Sequence, residues 1–234
     1  MVWAVIKNHP EYKTVSILYS QTDAEVGTKD VMLPELELLG IKVVAIESYF
    51  EGQSKDFTPQ LTKIKAANPD VLFALSYYAE AAAIIQQARQ LGMTQPVWGP
   101  DGLNNPGLME LGGEAVEGTR VVSYFSESAT YPRVKETVEA YVAKWGVKPD
   151  GIAAFTIDGT RMLLQGMQEV GTDREALRVW MSEHKGFVGI SGPIEFDKCN
   201  DNLRRIVVIE VQGGQWVEAK EQVPEEYFAT RFGK

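Results

Sequence analysis

The sequence predicts an α/β fold: a doubly wound parallel sheet, followed by a helical remainder that has little sheet of its own. Three observations carry this. A short apolar strand, a polar junction and an amphipathic helix recur through the first half, with Val15, Val43 and Val71 spaced 28 residues apart. That interval suits a parallel strand plus its crossover helix, which together fill about 30 residues. Beyond about residue 126 the pattern changes to three apolar helical stripes with hardly any β-like sequence between them. Open parallel sheets bind small molecules at the carboxyl ends of their strands, so function is sought in the junctions that follow them.

Residues 2–8 read as the end of a helix, and strand 13–19 follows. A helix is expected from Gly27 to Leu39, kinked or shifted by Pro34 and closed by Gly40. Strand 41–47 leads to a polar loop over 51–55. Asp56 then caps a helix running to about Ala67, which Asn68-Pro69-Asp70 ends. After strand 70–76, Ala81, Ile84, Ile85, Ala88 and Leu91 form the clearest helical stripe, stopped by Gly92. Glu80 is read as a carboxylate at that helix start. Gln95 to Trp98 is a short strand, Asn105 caps a short helix begun by Pro106, and Glu117 to Phe125 is the fifth strand.

The second half opens with the polar connector 126–130. Val134, Val138, Tyr141, Val142 and Trp145 make one stripe; Ile152, Phe155, Gly159, Met162, Leu163 and Gly166 a second; Ala176, Leu177, Trp180 and Met181 a third. Extended structure is expected at Pro193 to Phe196 and at Arg205 to Val211, with Gly213-Gly214 turning a hairpin toward Trp216-Val217. The tail after Lys220 is charged. The three stripes want a partner surface: the first half, a second copy of the chain, or a segment not encoded here.

Composition narrows the function. The chain has 234 residues, 44% of them hydrophobic, and a formal net charge of −9. That balance argues against a nucleic-acid partner, whose phosphates need clustered Lys and Arg. No apolar run is long enough for a transmembrane helix. Cys199 is the only cysteine, so no intrachain disulfide forms, and with only His9 and His184 neither a zinc site nor a Cys–His nucleophile is supported. No Gly-rich phosphate loop occurs. Asp197 to Asn202 has the wrong spacing for a calcium loop and reads as a polar turn. No cofactor is expected. The N-terminal residues have neither the basic start nor the apolar core of a secretory signal.

Specific short motifs sit on this framework: Lys13-Thr14-Val15-Ser16-Ile17-Leu18-Tyr19 with Gly27; Asp56-Phe57-Thr58 with Leu61, Ile64 and Lys65; Asn68-Pro69-Asp70-Val71; Tyr77-Tyr78-Ala79-Glu80 with Gln87-Ala88-Arg89 and Gly92; Gly99-Pro100-Asp101-Gly102; Glu117-Gly118; and Phe187-x-Gly189-x-x-Gly192-x-x-x-Phe196-Asp197. In this order the chain, over about residues 4–217, resembles the type I periplasmic solute-binding proteins, and within them the branched-chain amino-acid binding family of ABC transporters. The resemblance implies a non-enzymatic, bilobal protein that closes on its ligand about a hinge. It implies that residues 1–125 and 203–220 form the second, ligand-binding lobe, that 126–202 are the helical remainder of an incomplete first lobe, and that 221–234 are a tail. Its partners would be a small amino acid or related organic acid and a transporter permease. Its place would be the periplasm, or the cell exterior with a lipid anchor. The chain is then expected to be a truncated member.

By the same resemblance, Asp101 pairs with the ligand ammonium; without it, a Pro-Asp-Gly aspartate reads first as a turn or helix-cap residue. Tyr77 supplies an aromatic face to the amine end or side chain, or is half-buried in core; Tyr78 is its equivalent or simply packs. Ser20 and Thr22 offer hydroxyls from a junction that otherwise reads as a solvated loop. Ala24 and Ile157 stand where the family often has aromatics, which enlarges the pocket or makes it less polar. Two alternatives stay open: a cytoplasmic ligand-sensing regulatory domain of the same fold, and a non-binding remnant that forms a homodimer through its exposed helices. An enzyme of the doubly wound class would need a convergent catalytic set, and none is evident.

Overall fold

A computed structural model describes residues 1–197, 200–203 and 206–223. The start of the strand expected at Arg205, Cys199 with part of the 197–202 turn, and the tail from 224 lie outside those residues. Two compact units are formed, one by Met1–Ser123 with the chain from Val208 on, the other by Tyr124–Val207.

The first unit holds α1 (Val2–Asn8), β1 (Thr14–Ser20), α2 (Asp23–Leu38), β2 (Lys42–Tyr49), α3 (Thr58–Ala67), β3 (Val71–Leu75), α4 (Tyr78–Gln90), β4 (Val97–Gly99), α5 (Gly107–Gly112) and β5 (Arg120–Ser123). Its seven-stranded sheet runs β2–β1–β3–β4–β5–β9–β10, with β9 (Val207–Gln212) and β10 (Gln215–Glu218) returning from far along the chain. β1 pairs in parallel with β2 and β3, β3 with β4, and β4 with β5; β9 and β10 are antiparallel. β3 is buried at every position, as befits a strand covered on both faces. Trp98, Phe73, Phe57, Ile17, Leu18 and Leu72 fill the core.

Several recurring motifs prove architectural. Asp70 accepts the N–H groups of Lys13 and Thr14, each at 2.8 Å, and the Thr14 hydroxyl at 2.9 Å, pinning β1 to β3. Gln87 accepts the Phe57 N–H at 2.7 Å and donates to the Lys55 carbonyl at 2.8 Å. Arg89 donates to the carbonyls of Met93 and Gln95. Glu117 holds the hairpin turn, accepting from the N–H groups of Gly213 and Gly214.

Some element bounds differ from expectation. α2 begins at Asp23 rather than Gly27, because the Thr22 hydroxyl accepts the Glu25 N–H and caps it; Pro34 lies within the helix. α3 begins at Thr58, where Asp56 accepts the Thr58 N–H. β5 is shorter than 117–125. Glu80 stands in the first turn of α4, but its carboxylate accepts the Gly52 N–H at 3.3 Å.

The second unit contains α6 (Val134–Trp145), α7 (Gly151–Val170) and α8 (Arg174–Glu183), with a three-stranded sheet of β6 (Phe187–Gly189), β7 (Gly192–Phe196) and β8 (Asn202–Leu203). β6 was not expected, and it gives the helices a small sheet after all. Phe125, Val134, Ala154 and Ile190 form one core cluster, and Met162, Phe187 and Ile194 another. Val142, Trp145, Ile152, Leu163 and Leu164 of α6 and α7 remain exposed. Among the described residues, no helix is long and apolar enough to cross a membrane.

Candidate functional site

Because β1, β3, β4 and β5 are parallel neighbours, their carboxyl ends share one edge. Ser20 pairs with Tyr49, Tyr19 with Leu75, Phe73 with Trp98, and Gly99 with Val121. Carried one to three residues onward, that register lines up Tyr49, Ser20, Ser76, Asp101 and Ser123 across the sheet. Every position in this row can form hydrogen bonds, and Ser20, Ser76 and Ser123 are buried.

The row is bonded in two groups. Ser123 donates its hydroxyl to Asp101 in a short hydrogen bond, and Asn104 donates to the Ser123 oxygen at 2.9 Å. Asp101 opens a 3₁₀ turn with Gly102 and Leu103. Nearer β2, the Tyr49 hydroxyl meets Ser76 Oγ at 2.6 Å, and Ser76 donates to the Tyr77 carbonyl at 3.0 Å. Burial pushes the Tyr49 phenol above its usual range; the Ser76 bond lowers it, while the charges of Glu80, Glu25 and Glu51 raise it further.

Tyr77 ends the β3 junction in extended backbone and is 37% exposed. A Cβ built on Gly102 would lie 3.1 Å from Tyr77 Cδ1 and 3.1 Å from the Ser76 carbonyl oxygen, so the ring and the β3 end press on the residue beside Asp101. A side chain at Gly102 would push the ring or the strand end back by a few tenths of an ångström, so its absence lets the acid's turn and the phenol's junction lie close together. Tyr78 does otherwise: its ring packs on Gly107 at the start of α5.

The first junction departs most from expectation. Ser20 and Thr22 face each other at 3.1 Å between hydroxyl oxygens, and Thr22 is a helix cap. Ala24 is exposed in the first turn of α2, not in a loop. Glu25, which sequence reading passed over, is only 5% exposed. Burial pushes its carboxyl up to about 7, with the Glu51 charge adding to the shift. Ser76, Ser123, Asn104 and Tyr49 were also missed. The serines left a signal: Tyr19-Ser20, Leu75-Ser76 and Val122-Ser123 each close an apolar strand with a hydroxyl. Ile157 packs partly buried against the Phe125 cluster of the second unit.

A mostly parallel, doubly wound sheet flanked by helices is the fold of the type I periplasmic binding proteins. The periplasmic binding protein family model matches residues 1–215, and the chain belongs to that family, one of binding proteins rather than enzymes. A leucine-binding protein, LivK, of Thermotoga maritima shares the fold at a TM-score of 0.87 and 30% identity, over 96% of this chain and 65% of that one. A leucine-, isoleucine-, valine-, threonine- and alanine-binding protein of Pseudomonas aeruginosa is 26% identical over 197 residues, 81% of this chain and 50% of its own length. An ABC-transporter solute-binding protein of R. palustris, solved with benzoate, shares the fold at a TM-score of 0.83 and 21% identity, over 92% of this chain and 59% of that one. The chain thus spans about half the length of the curated relatives it matches.

Proposed function

We propose that this chain carries the amine-binding side of a solute site: it receives a small amino acid or related organic acid in the periplasm and serves an ABC importer through that transporter's permease. The observation that carries this reading is the Asp101 turn pressed against Tyr77 at the carboxyl edge of the sheet. An ammonium leaving water needs a carboxylate partner, or its burial costs several kcal/mol. Asp101 supplies that charge, with its orientation set by Ser123 and Asn104, and Tyr77 supplies an adjoining apolar face suited to a cation. The relatives named for leucine and other aliphatic amino acids support the ligand class. In this reading residues 1–125 and 203–220 are the ligand-binding lobe, and 126–202 belong to the other lobe.

Calorimetric titration with a panel of L-amino acids and small carboxylates tests it. Binding of at least one, lost in Asp101→Ala, is expected; affinity that survives this substitution unchanged removes the assigned role.

A second reading, self-association, draws on the exposed apolar residues of α6 and α7, Trp145 (60%) and Ile152 (58%) foremost. Light scattering distinguishes them: a dimer that binds none of the panel favours the second reading over the first.

A further inference from the structure

Glu25 presents a problem that the site described above leaves unsolved. It lies in the first turn of α2 on the buried side that carries Met32 and Leu36. Its side chain therefore lies on the inward face of α2, close enough for its charge to act on the Tyr49 phenol. Among the described residues, Oε2 is buried and has no hydrogen-bond partner. The charge acting on it is that of another acid, Glu51. Glu25, Glu51 and Glu80 all act on the Tyr49 phenol, which is engaged with Ser76. Lys29, one helical turn further on, is no help: its ammonium binds Asp30 at 2.5 Å and sits over the Tyr19 ring. Thr22 contributes only its hydroxyl to the Glu25 N–H. A carboxylate removed from water with acids around it and no donor lacks its counter-charge.

We propose that Glu25 receives a second cationic group on the ligand, so that this chain takes a basic amino acid, its α-ammonium toward Asp101 and its side-chain ammonium or guanidinium toward Glu25. This rests on the assignment of Asp101 to the amine end. Distance supports it. Glu25 follows β1, and Asp101 follows β4; one strand lies between them. At about 4.8 Å per strand the two junctions stand roughly 10 Å apart. An extended lysine carries its two ammonium groups six bonds, roughly 7 Å, from each other, and the carboxylate side chains close the remainder. An aliphatic amino acid satisfies Asp101 and leaves Glu25 bare.

The test uses the full chain at about pH 8, where the Glu25 carboxyl is ionised, titrated calorimetrically with L-lysine and with L-norleucine, which lacks only the ε-amine. The expected result is lysine bound on the order of tenfold more tightly, a preference erased in Glu25→Gln, with norleucine binding kept. NMR titration of the Glu25 carboxyl should show its pKa falling with lysine and not with norleucine, a change that a purely structural glutamate would not show. Equal affinity for both probes, lysine affinity untouched by Glu25→Gln, or no lysine binding at all overturns the proposal. Norleucine binding that still depends on Asp101 would leave the amine-site reading standing; binding of both probes indifferent to Asp101→Ala would remove that reading instead.

Discussion

Asp158 and Glu25 are buried acids on the inner sides of helices, one in each unit, and their surroundings are opposite. Asp158, in the middle of α7, accepts the N–H groups of Ile190 and Ser191 and the Ser191 hydroxyl, at 2.8, 2.8 and 2.6 Å. A Cβ on Gly189 would fall 2.3 Å from its carboxyl carbon, so the turn from β6 to β7 closes directly on the acid. Glu25, in α2, has Glu51 for a neighbour and nothing donating to Oε2. Burial alone does not tell a functional acid from a structural one; the donors around it do. A carboxylate with its donors in place belongs to the fold, and one without them costs stability until something arrives.

The largest test of that contrast is Asp158→Ala, which strands two buried N–H groups. It should destabilise the second unit by about 3–5 kcal/mol, read as a lower urea midpoint; a loss below about 1 kcal/mol would break the comparison from the Asp158 side. Glu25→Gln should do the reverse at pH 8. The folded carboxyl titrates near 7 and the unfolded one near 4.5, so the folded state binds the extra proton between those values and stability falls as pH rises through 7. The loss is about 3 kcal/mol when complete. Thermal melts should show the variant more stable than the parent at pH 8, level with it at about pH 4, below the unfolded value, and without the parent's slope between.

Asp70 sharpens the comparison at intermediate scale, being a satisfied acid nearer the surface. The Lys13 N–H, with those of Thr14, holds its carboxyl below the usual range. Its stabilisation is present above the unfolded carboxylate pKa and lost as pH falls through the folded value. Asp70→Ala should cost about 1–2 kcal/mol at neutral pH and flatten the acid limb of a pH–stability curve. Smallest is Glu117→Gln at the exposed β9–β10 turn, expected at about 0.5 kcal/mol by chemical denaturation.

The alternation of strands and helices in the first unit was legible because apolar runs, Gly stops and the Asn68-Pro69 turn all agree. The edge chemistry was half legible. Asp101 and Tyr77 stand at strand ends that any reader of the pattern would inspect. Glu25 was hidden by the start of α2: with the helix begun at Gly27 it falls in a loop, whereas the Thr22 cap places it on the side of Met32 and Leu36. β6 was hidden differently. Three residues bounded by glycines carry no strand signal, and what fixes them is Asp158, about 30 positions earlier, a tertiary tie that local propensity does not contain.

The place of β9 in the sheet also has a consequence for how the protein is made. β5 ends at Ser123, and its outer neighbour begins at Val207, after the whole of the second unit. During synthesis, five strands emerge and pair while the flank of β5 still shows bare N–H and C=O groups to the cell. Such an open strand flank invites pairing with other chains. The nascent polypeptide is therefore most vulnerable to aggregation in the interval between release of β5 and arrival of β9, and a pause in translation there prolongs the risk.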